Sequence, residues 1–591
     1  LSVSQDLNVG GYFELSLLGG AVSNMTNSDA TLNLTGGSIY TLNSTSFTSP
    51  FKKLNLNFQA WGATTYGVVL GTNNTIDANG GNISFVGDVL TLSGTTNVGN
   101  TVTSNTIRSV GGNLSLNPYT PSATICINTT SCTLNFAGSF FGGTGAVLQP
   151  NFAQVLIGSA SQTGYIWVNG NSSNTTTYPT ASLATLNITS PLKLQESFAS
   201  NYRINIFGTI TDSGDASKAG GLTVISYTDL TGVDKSSTVI YGSVNVNTVG
   251  SQYYNNLYQW NNSTASTLNL TSTGLNSTIT IGSLEANDSG TKTMNVTANN
   301  GSIVFLANST TYVPTTTHMM NMSFSASTID MRAGGYILDG LGGSISFTAD
   351  KLFLDAPGNA VRSNNGYLTI APLTASTPIC VNNAGCASGG INLTLVSMNQ
   401  VIKSGFNVLT LGSTLATGGI AINSTNSTSD ILTLPFSIQA LQSSGVGGSK
   451  GGNVTLYGDS VMALNLTSNA TSQTVDAFTF KAVGSGLLKL YGGIQSNSWA
   501  INISGMDASL KASSIGLNIL STAGVNDILL GNITNDSGSD VTLNATAGFV
   551  LSVKANAVIS SQVGKLNLNF LSKSTNSSYG INLGAGGISI N

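Results

Sequence analysis

The sequence predicts an all-β protein: a single long parallel β-helix, or β-solenoid, built from tandem units of about 250–260 residues. Three observations predict it. Only 7% of the 591 residues are charged while 40% are hydrophobic, against roughly 25% charged in an average soluble protein. Short apolar alternations recur between Gly- and Asn-rich turns. Long stretches of the chain also match other stretches at a nearly fixed offset.

The composition is the first support. Beyond the hydrophobic residues the chain is dominated by Asn, Ser, Thr and Gly, with 69 Gly. Low charge with frequent β-branched residues is not the signature of disorder. It suits strands joined by polar turns, because Thr and Val favour the pleat and Asn and Gly tolerate positive φ. A net charge of −4 with 19 Lys+Arg leaves no electrostatic footprint for nucleic acid. No apolar run approaches the roughly 18–20 residues that span a bilayer. A start at Leu1 without Met or leader points to a processed chain or a segment of a longer one.

The alternations are the second. Leu54/Leu56, Ile83/Phe85, Leu90/Leu92, Leu114/Leu116, Ile125/Ile127 and Ile166/Val168 are apolar pairs one residue apart, separated by Gly-Gly, Asn-Gly or Asn-Asn turns. Helical spacing is almost absent. Strands this short, without βαβ spacing, fit coils of about 20–25 residues stacked on one another, with inward Val, Ile, Leu and Phe forming one core. The rival, a string of β-sandwiches, predicts a repeat near 100 residues with more aromatic cores.

The repeat is the third. IRSVGGNLSLNPYTPSATIC (107–126) aligns without gaps on VRSNNGYLTIAPLTASTPIC (361–380), an offset of 254. TGYIWVN (163–169) falls on TGGIAIN (417–423) at the same offset, and GGNISF (80–85) returns as GGSISF (342–347) at a slightly different one. KLNLNF (53–58) returns loosely as MMNMSF (319–324) and word for word at 565–570, and the closing YGINLGAGGISIN tracks YGVVLG…GGNISF. The expected organisation is therefore the tail of a preceding unit (1–52), unit 1 (53–318), unit 2 (319–564) and the start of a third (565–591), all one continuous solenoid.

The strings LNLNF…YGVVLG…GGNISF, GGNLSL…P and VLIGS…TGYIWVNG, in that order, resemble repeats of the filamentous haemagglutinin type. The resemblance covers most of each unit, through motifs built from low-information residues. It implies a right-handed β-helical fibre displayed on a cell surface, commonly as an adhesin. No secretion domain of the bacterial kind is present, and the sequon density and paired cysteines are untypical. A glycosylating eukaryotic or archaeal source is the better expectation.

All four cysteines lie in ICINTTSC (125–132) and ICVNNAGC (379–386). Two thiolates without His or further Cys fall short of a zinc site, and the gap is wider than the redox C-x-x-C. Local disulfides Cys126–Cys132 and Cys380–Cys386 remain, each pinning a protruding turn in an oxidising exterior. A glycan on Asn128, inside the first loop, requires that loop to face solvent.

About thirty N-x-S/T sequons are present, against roughly twenty expected by chance from this composition. They are Asn24, Asn33, Asn43, Asn73, Asn82, Asn113, Asn128, Asn171, Asn174, Asn187, Asn261, Asn262, Asn269, Asn276 and Asn287. The second half adds Asn295, Asn300, Asn308, Asn321, Asn392, Asn423, Asn426, Asn453, Asn465, Asn469, Asn502, Asn532, Asn535, Asn544 and Asn576. A long chain with so few charges needs another solubiliser, and N-linked glycans are the expected one.

Catalytic chemistry is hard to place. The lone His318 excludes a His-based triad or a His-rich metal site, and it reads as a turn or surface residue. Charged residues concentrate only from Glu196 to Lys235, where Asp212 and Asp215 in DSGD read as a polar turn before they read as calcium ligands. That zone is the best guess for a lateral contact. SQYYNNLYQW (251–260) offers Tyr253, Tyr254, Tyr258 and Trp260 for an interface or for sugar stacking, unless alternate members fill the interior. No cofactor is expected. The expected function is structural: the shaft of an extracellular filament or surface appendage, assembled from copies of the chain itself. An adhesin binding carbohydrate or protein is the alternative, and a glycan-active β-helix enzyme the weakest one.

Overall fold

The computed structural model describes residues 3–413 apart from short segments (9–13, 18–19, 62–66, 94–95, 99–100, 144, 171–183, 198–203, 213–220, 227–237, 261–264, 287–289, 310, 313–318, 382–388, 404 and 407). It also describes residues 528–535, 539–547, 550–573, 580–584 and 589–590, and it gives strands before residue 20 and between 420 and 521 as backbone. The protein is all-β with parallel sheets. Among the described residues the helices are Gly138–Phe141 and Leu395–Val401, and one antiparallel pair joins Thr96–Val98 to Thr101–Thr103. The chain divides into two compact units, Leu1–Leu306 and Ala307–Asn591.

In the first unit every rung of the main ladder pairs in parallel with a later one. The ladder runs through Ala30–Gly36, Leu54–Ala60, Ile83–Val86, Asn113–Asn117, Gln154–Gly158, Leu192–Gln195 and Leu222–Ile225. Register aligns like with like. Leu56, Ile83, Leu114, Val155, Leu192 and Leu222 form one column, each at most 2% exposed. Burial of such a side chain is worth about 1.5–3 kcal/mol. The adjacent column stacks Phe58 on Phe85 with centroids 4.8 Å apart. Two further parallel ladders, Ser38–Thr41 with Val68–Leu70 and Ser46–Thr48 with Thr75–Asp77, complete the same coils.

The coil length differs from the expected 20–25 residues. Neighbouring rungs lie 24 residues apart from Asn33 to Asn57 but 41 apart where Leu114 meets Val155. The long coil has absorbed Ile125–Ile127, Leu134–Phe136 and the short helix Gly138–Phe141, none of which disturbs the register of the column.

Outward positions explain the abundance of Asn. The L-N-L pattern alternates, so its Asn faces out and donates to the Asn one rung earlier: Asn57 to Asn33 at 2.7 Å, Asn269 to Asn245 at 2.6 Å, Asn295 to Asn269 at 2.8 Å. Other asparagines are turned into corners and buried. The Asn105 carboxamide oxygen accepts from the Asn74 N–H at 2.8 Å, and that of Asn74 accepts from the Thr45 N–H at 2.6 Å. A polar group so placed satisfies backbone that the turn leaves without a partner.

The second unit repeats these devices, with Asn359, Arg362 and Thr374 at the offset of 254 and their partners a few residues beyond it. Asn359 caps the Tyr336 N–H at 3.0 Å, as Asn105 caps Asn74. Arg362 pairs with Asp339 at 2.7 Å as Arg108 pairs with Asp77 at 2.6 Å. Asp350 accepts from the Thr374 N–H and hydroxyl, both at 2.7 Å, as Asp88 does from Thr120 at 2.7 and 2.6 Å. Phe324 stacks on Phe347 at 5.6 Å as Phe58 does on Phe85.

The two KLNLNF stretches differ in what pairs near them. At 565–570 KLNLNF enters a ladder after Val541–Ala547, but Ser589–Ile590 pairs with Val558–Ile559 rather than with KLNLNF. In the first unit Ile83–Val86 pairs directly with Leu56–Gln59. Between those two rungs lies the strand Thr75–Asp77, whereas residues 574–579 and 585–588 lie outside the described residues.

Candidate functional site

Ile125–Ile127 lies between two parallel neighbours, Leu134–Phe136 on one side and Ile166–Val168 on the other. The five residues between Cys126 and Cys132 must therefore reverse direction within a single rung. The left-handed conformations of Asn128 (φ 58°) and Ser131 (φ 86°) do this. The disulfide Cys126–Cys132 closes the loop with Cα atoms 5.5 Å apart. Asn135 clasps it again, accepting from the Cys132 N–H at 3.1 Å and donating to the Cys132 carbonyl at 2.8 Å.

The tip of the loop, Thr130 and Ser131, is exposed, but its base is packed inside the fold. Cys126 is fully buried and belongs to an apolar cluster with Trp167, Phe207, Val239 and Tyr241, against which Cys132 and Tyr165 pack. Trp167 lies beside Cys126 in register and Val239 beside Asn205. This face is opposite to that of Ile125, Ile127, Ile166, Val168, Ile204 and Ile206, since successive side chains of a strand alternate. These strands are buried on both faces, with Phe207 stacked on Tyr241 at 4.6 Å and 5°. Sequence reasoning missed this second core. Its signal was present in the unalternated runs IWV, INIF and VIY, which mark two-sided burial.

In the second unit Cys380 is also buried and disulfide-bonded. Its expected partner Cys386 lies outside the described residues. Ala421 stands in the register position that Trp167 holds in the first unit.

The other expected site residues scatter. Tyr254 points inward, 1% exposed, and donates to the Gln252 side chain at 3.0 Å; burial pushes its phenol far above the usual range. It therefore takes no part in an outer contact, whereas Tyr253 faces out and is half-buried. The side chains of Tyr258 and Trp260 lie outside the described residues, as do Asp215 and His318. Asp212 accepts from the Val249 N–H, which uses its carboxylate within the fold. Glu196 is fully buried, so the charged zone does not begin on a surface. Among the described residues no three His, Cys, Asp or Glu side chains come together in a way that would hold a metal ion.

The sequon asparagines divide by burial. Asn43, Asn73, Asn82, Asn113, Asn187, Asn276, Asn300, Asn308 and Asn392 are exposed; Asn33, Asn128, Asn269, Asn295, Asn321, Asn532 and Asn544 are half-buried. Asn24 and Asn535 are buried, which conflicts with reading them as glycan acceptors. The side chains of Asn171, Asn174, Asn261, Asn262, Asn287, Asn423, Asn426, Asn453, Asn465, Asn469, Asn502 and Asn576 lie outside the described residues.

No protein family, curated protein or solved structure matches the chain. The arrangement brings together a clasped loop, a second apolar core and polar ladders, and these hold backbone in place.

Proposed function

We propose that the chain is a right-handed parallel β-helix of the filamentous haemagglutinin type, forming the shaft of an extracellular filament or surface appendage by end-to-end stacking of its copies. In this reading residues 1–52, 53–318, 319–564 and 565–591 are successive parts of one solenoid. The in-register parallel ladders of each unit, the repeat at 254 residues and the disulfide support it.

One observation carries the reading. The hexapeptide KLNLNF occurs twice, each time as a rung of an in-register parallel ladder. At 53–58, with rungs on both sides, Leu54, Leu56 and Phe58 are 3%, 0% and 1% exposed. At 565–570 the same three side chains are only half-buried, with Val541–Ala547 on one side. The neighbouring columns continue in register as well, Leu551 to Ile581 and Ile559 to Ile590. A parallel ladder of this kind can be continued by a further rung, and a second copy of the chain could supply one.

Electron microscopy and sedimentation of the purified chain over a range of concentrations test the reading. End-to-end particles that lengthen with concentration are expected. Single particles at every concentration would overturn it.

A further inference from the structure

We infer that the fold sorts the sequons, so that Asn82 and Asn113 accept N-linked glycans while Asn24, Asn128 and Asn535 stay unmodified. This rests on the reading of the chain as an extracellular glycoprotein, and it adds which asparagines the modification reaches.

The chemistry sets the criterion. Glycosyl transfer from a lipid-phosphate-linked oligosaccharide forms a bond between the asparagine Nδ2 and the sugar C1. The bond from C1 to the phosphate oxygen breaks, the lipid phosphate leaves with the electron pair, and one Nδ2 proton is lost to base. The product keeps one hydrogen where the free side chain had two. An asparagine that needs both hydrogens inside the fold cannot carry a sugar and keep its place, whereas one that uses only its oxygen can.

Three sequons need both. Asn24 is 5% exposed, and its Nδ2 donates to the Ser28 carbonyl at 3.0 Å and the Lys53 carbonyl at 3.2 Å. Its oxygen is taken by the N–H and hydroxyl of Thr26, the hydroxyl of its own sequon, at 3.1 and 2.7 Å. Asn128, inside the disulfide loop, donates from Nδ2 to Asn169 Oδ1 at 2.7 Å and to the Thr185 carbonyl at 3.2 Å. Asn535 is fully buried, and its Nδ2 reaches the Ser539 carbonyl and the Ser561 hydroxyl, both at 3.0 Å.

Asn82 and Asn113 are built the other way. Both are exposed and begin or precede a rung. The Asn82 N–H donates to Asn55 Oδ1 at 2.9 Å, and Asn82 Oδ1 accepts from the Asn113 N–H at 3.0 Å. The ladder thus uses the carboxamide oxygen of Asn82, while Asn113 enters it through its backbone N–H, and both side chains are on the exposed side. Because Ile83 pairs with Leu114, the two acceptors stand on successive rungs in one column. Their glycans coat one strand edge of a surface that has few charges to keep it soluble.

The test is peptide mapping of the full chain recovered soluble and protease-resistant from a glycosylating host. Release with peptide-N-glycosidase in 18O-water converts each occupied Asn to 18O-labelled Asp; a sample without enzyme corrects for spontaneous deamidation. Label at Asn82 and Asn113, and none at Asn24, Asn128 or Asn535, is the expected result. Asn82→Gln, at an exposed position, should lower the intact mass by one glycan. Label at any of the three internal sequons, with label at others, overturns the sorting while leaving the glycoprotein reading intact. Absence of label from every sequon overturns that reading itself.

Discussion

Leu341 holds a backbone conformation at odds with its side chain. Its φ is 44°, in the left-handed region, and the residue at the same place in the first unit is Asn79 with φ 47°. The turn is otherwise the same, with Asp339 accepting from the Leu341 N–H at 3.0 Å and Asp77 from the Asn79 N–H at 3.2 Å. A branched side chain in this region costs about 1–2 kcal/mol, and Asn visits it more readily. Leu341→Asn is therefore expected to stabilise the second unit by about 1 kcal/mol, read as a higher urea midpoint at unchanged slope. A lower midpoint would mean that apolar contacts of Leu341 outweigh the strain. The turn was legible in the sequence from DANGG and DGLGG. That a Leu occupies its left-handed position was not, because a Gly on either side of it offers the same freedom.

The disulfide loop shows how an element depends on what surrounds it. By the chain-entropy model so short a loop contributes about 2 kcal/mol, but Cys126 is also a wall of the cluster with Trp167 and Val239. The double substitution Cys126→Ala and Cys132→Ala should therefore cost the first unit at least about 2 kcal/mol, measured by thermal unfolding. Alkylation of the native chain before and after reduction should label both cysteines only after reduction. An unchanged midpoint would show that Asn135 and the backbone bond from the Asn128 N–H to the Phe136 carbonyl hold the loop by themselves. The strands themselves were legible, since Leu54, Leu56 and Phe58 alternate with polar residues and are buried in that order. The second core was missed because alternation reports one buried face, whereas the continuous run Ile166–Val168 has two. Tyr254 shows the same limit: an aromatic run does not tell which members point in until register fixes it.

At the scale of the whole molecule, the offset of 254 was legible because corner residues must recur where corners recur. Asn105 and Asn359, or Ser109 and Ser363, do the same work in each unit. Coil length was not legible, since an insertion such as the disulfide loop lengthens a coil without shifting its column. If copies of the chain stack on the rung that holds Ile581 and Ile590, association can be blocked there without unfolding the chain. Ile581 and Ile590 continue core columns yet are 47% and 61% exposed, so a charge there meets water in the single particle. In a stacked pair the same charge would be buried without a partner, at a cost of several kcal/mol. The double variant Ile581→Asp and Ile590→Asp is expected to keep the parent's thermal midpoint within about 1–2 °C, given that exposed substitutions change stability little. It should also sediment as a single species at concentrations where the parent chain assembles. Leu56→Asp, at a position with rungs on both sides, should instead unfold the first unit. If the double variant assembles as the parent does, copies do not meet at this rung.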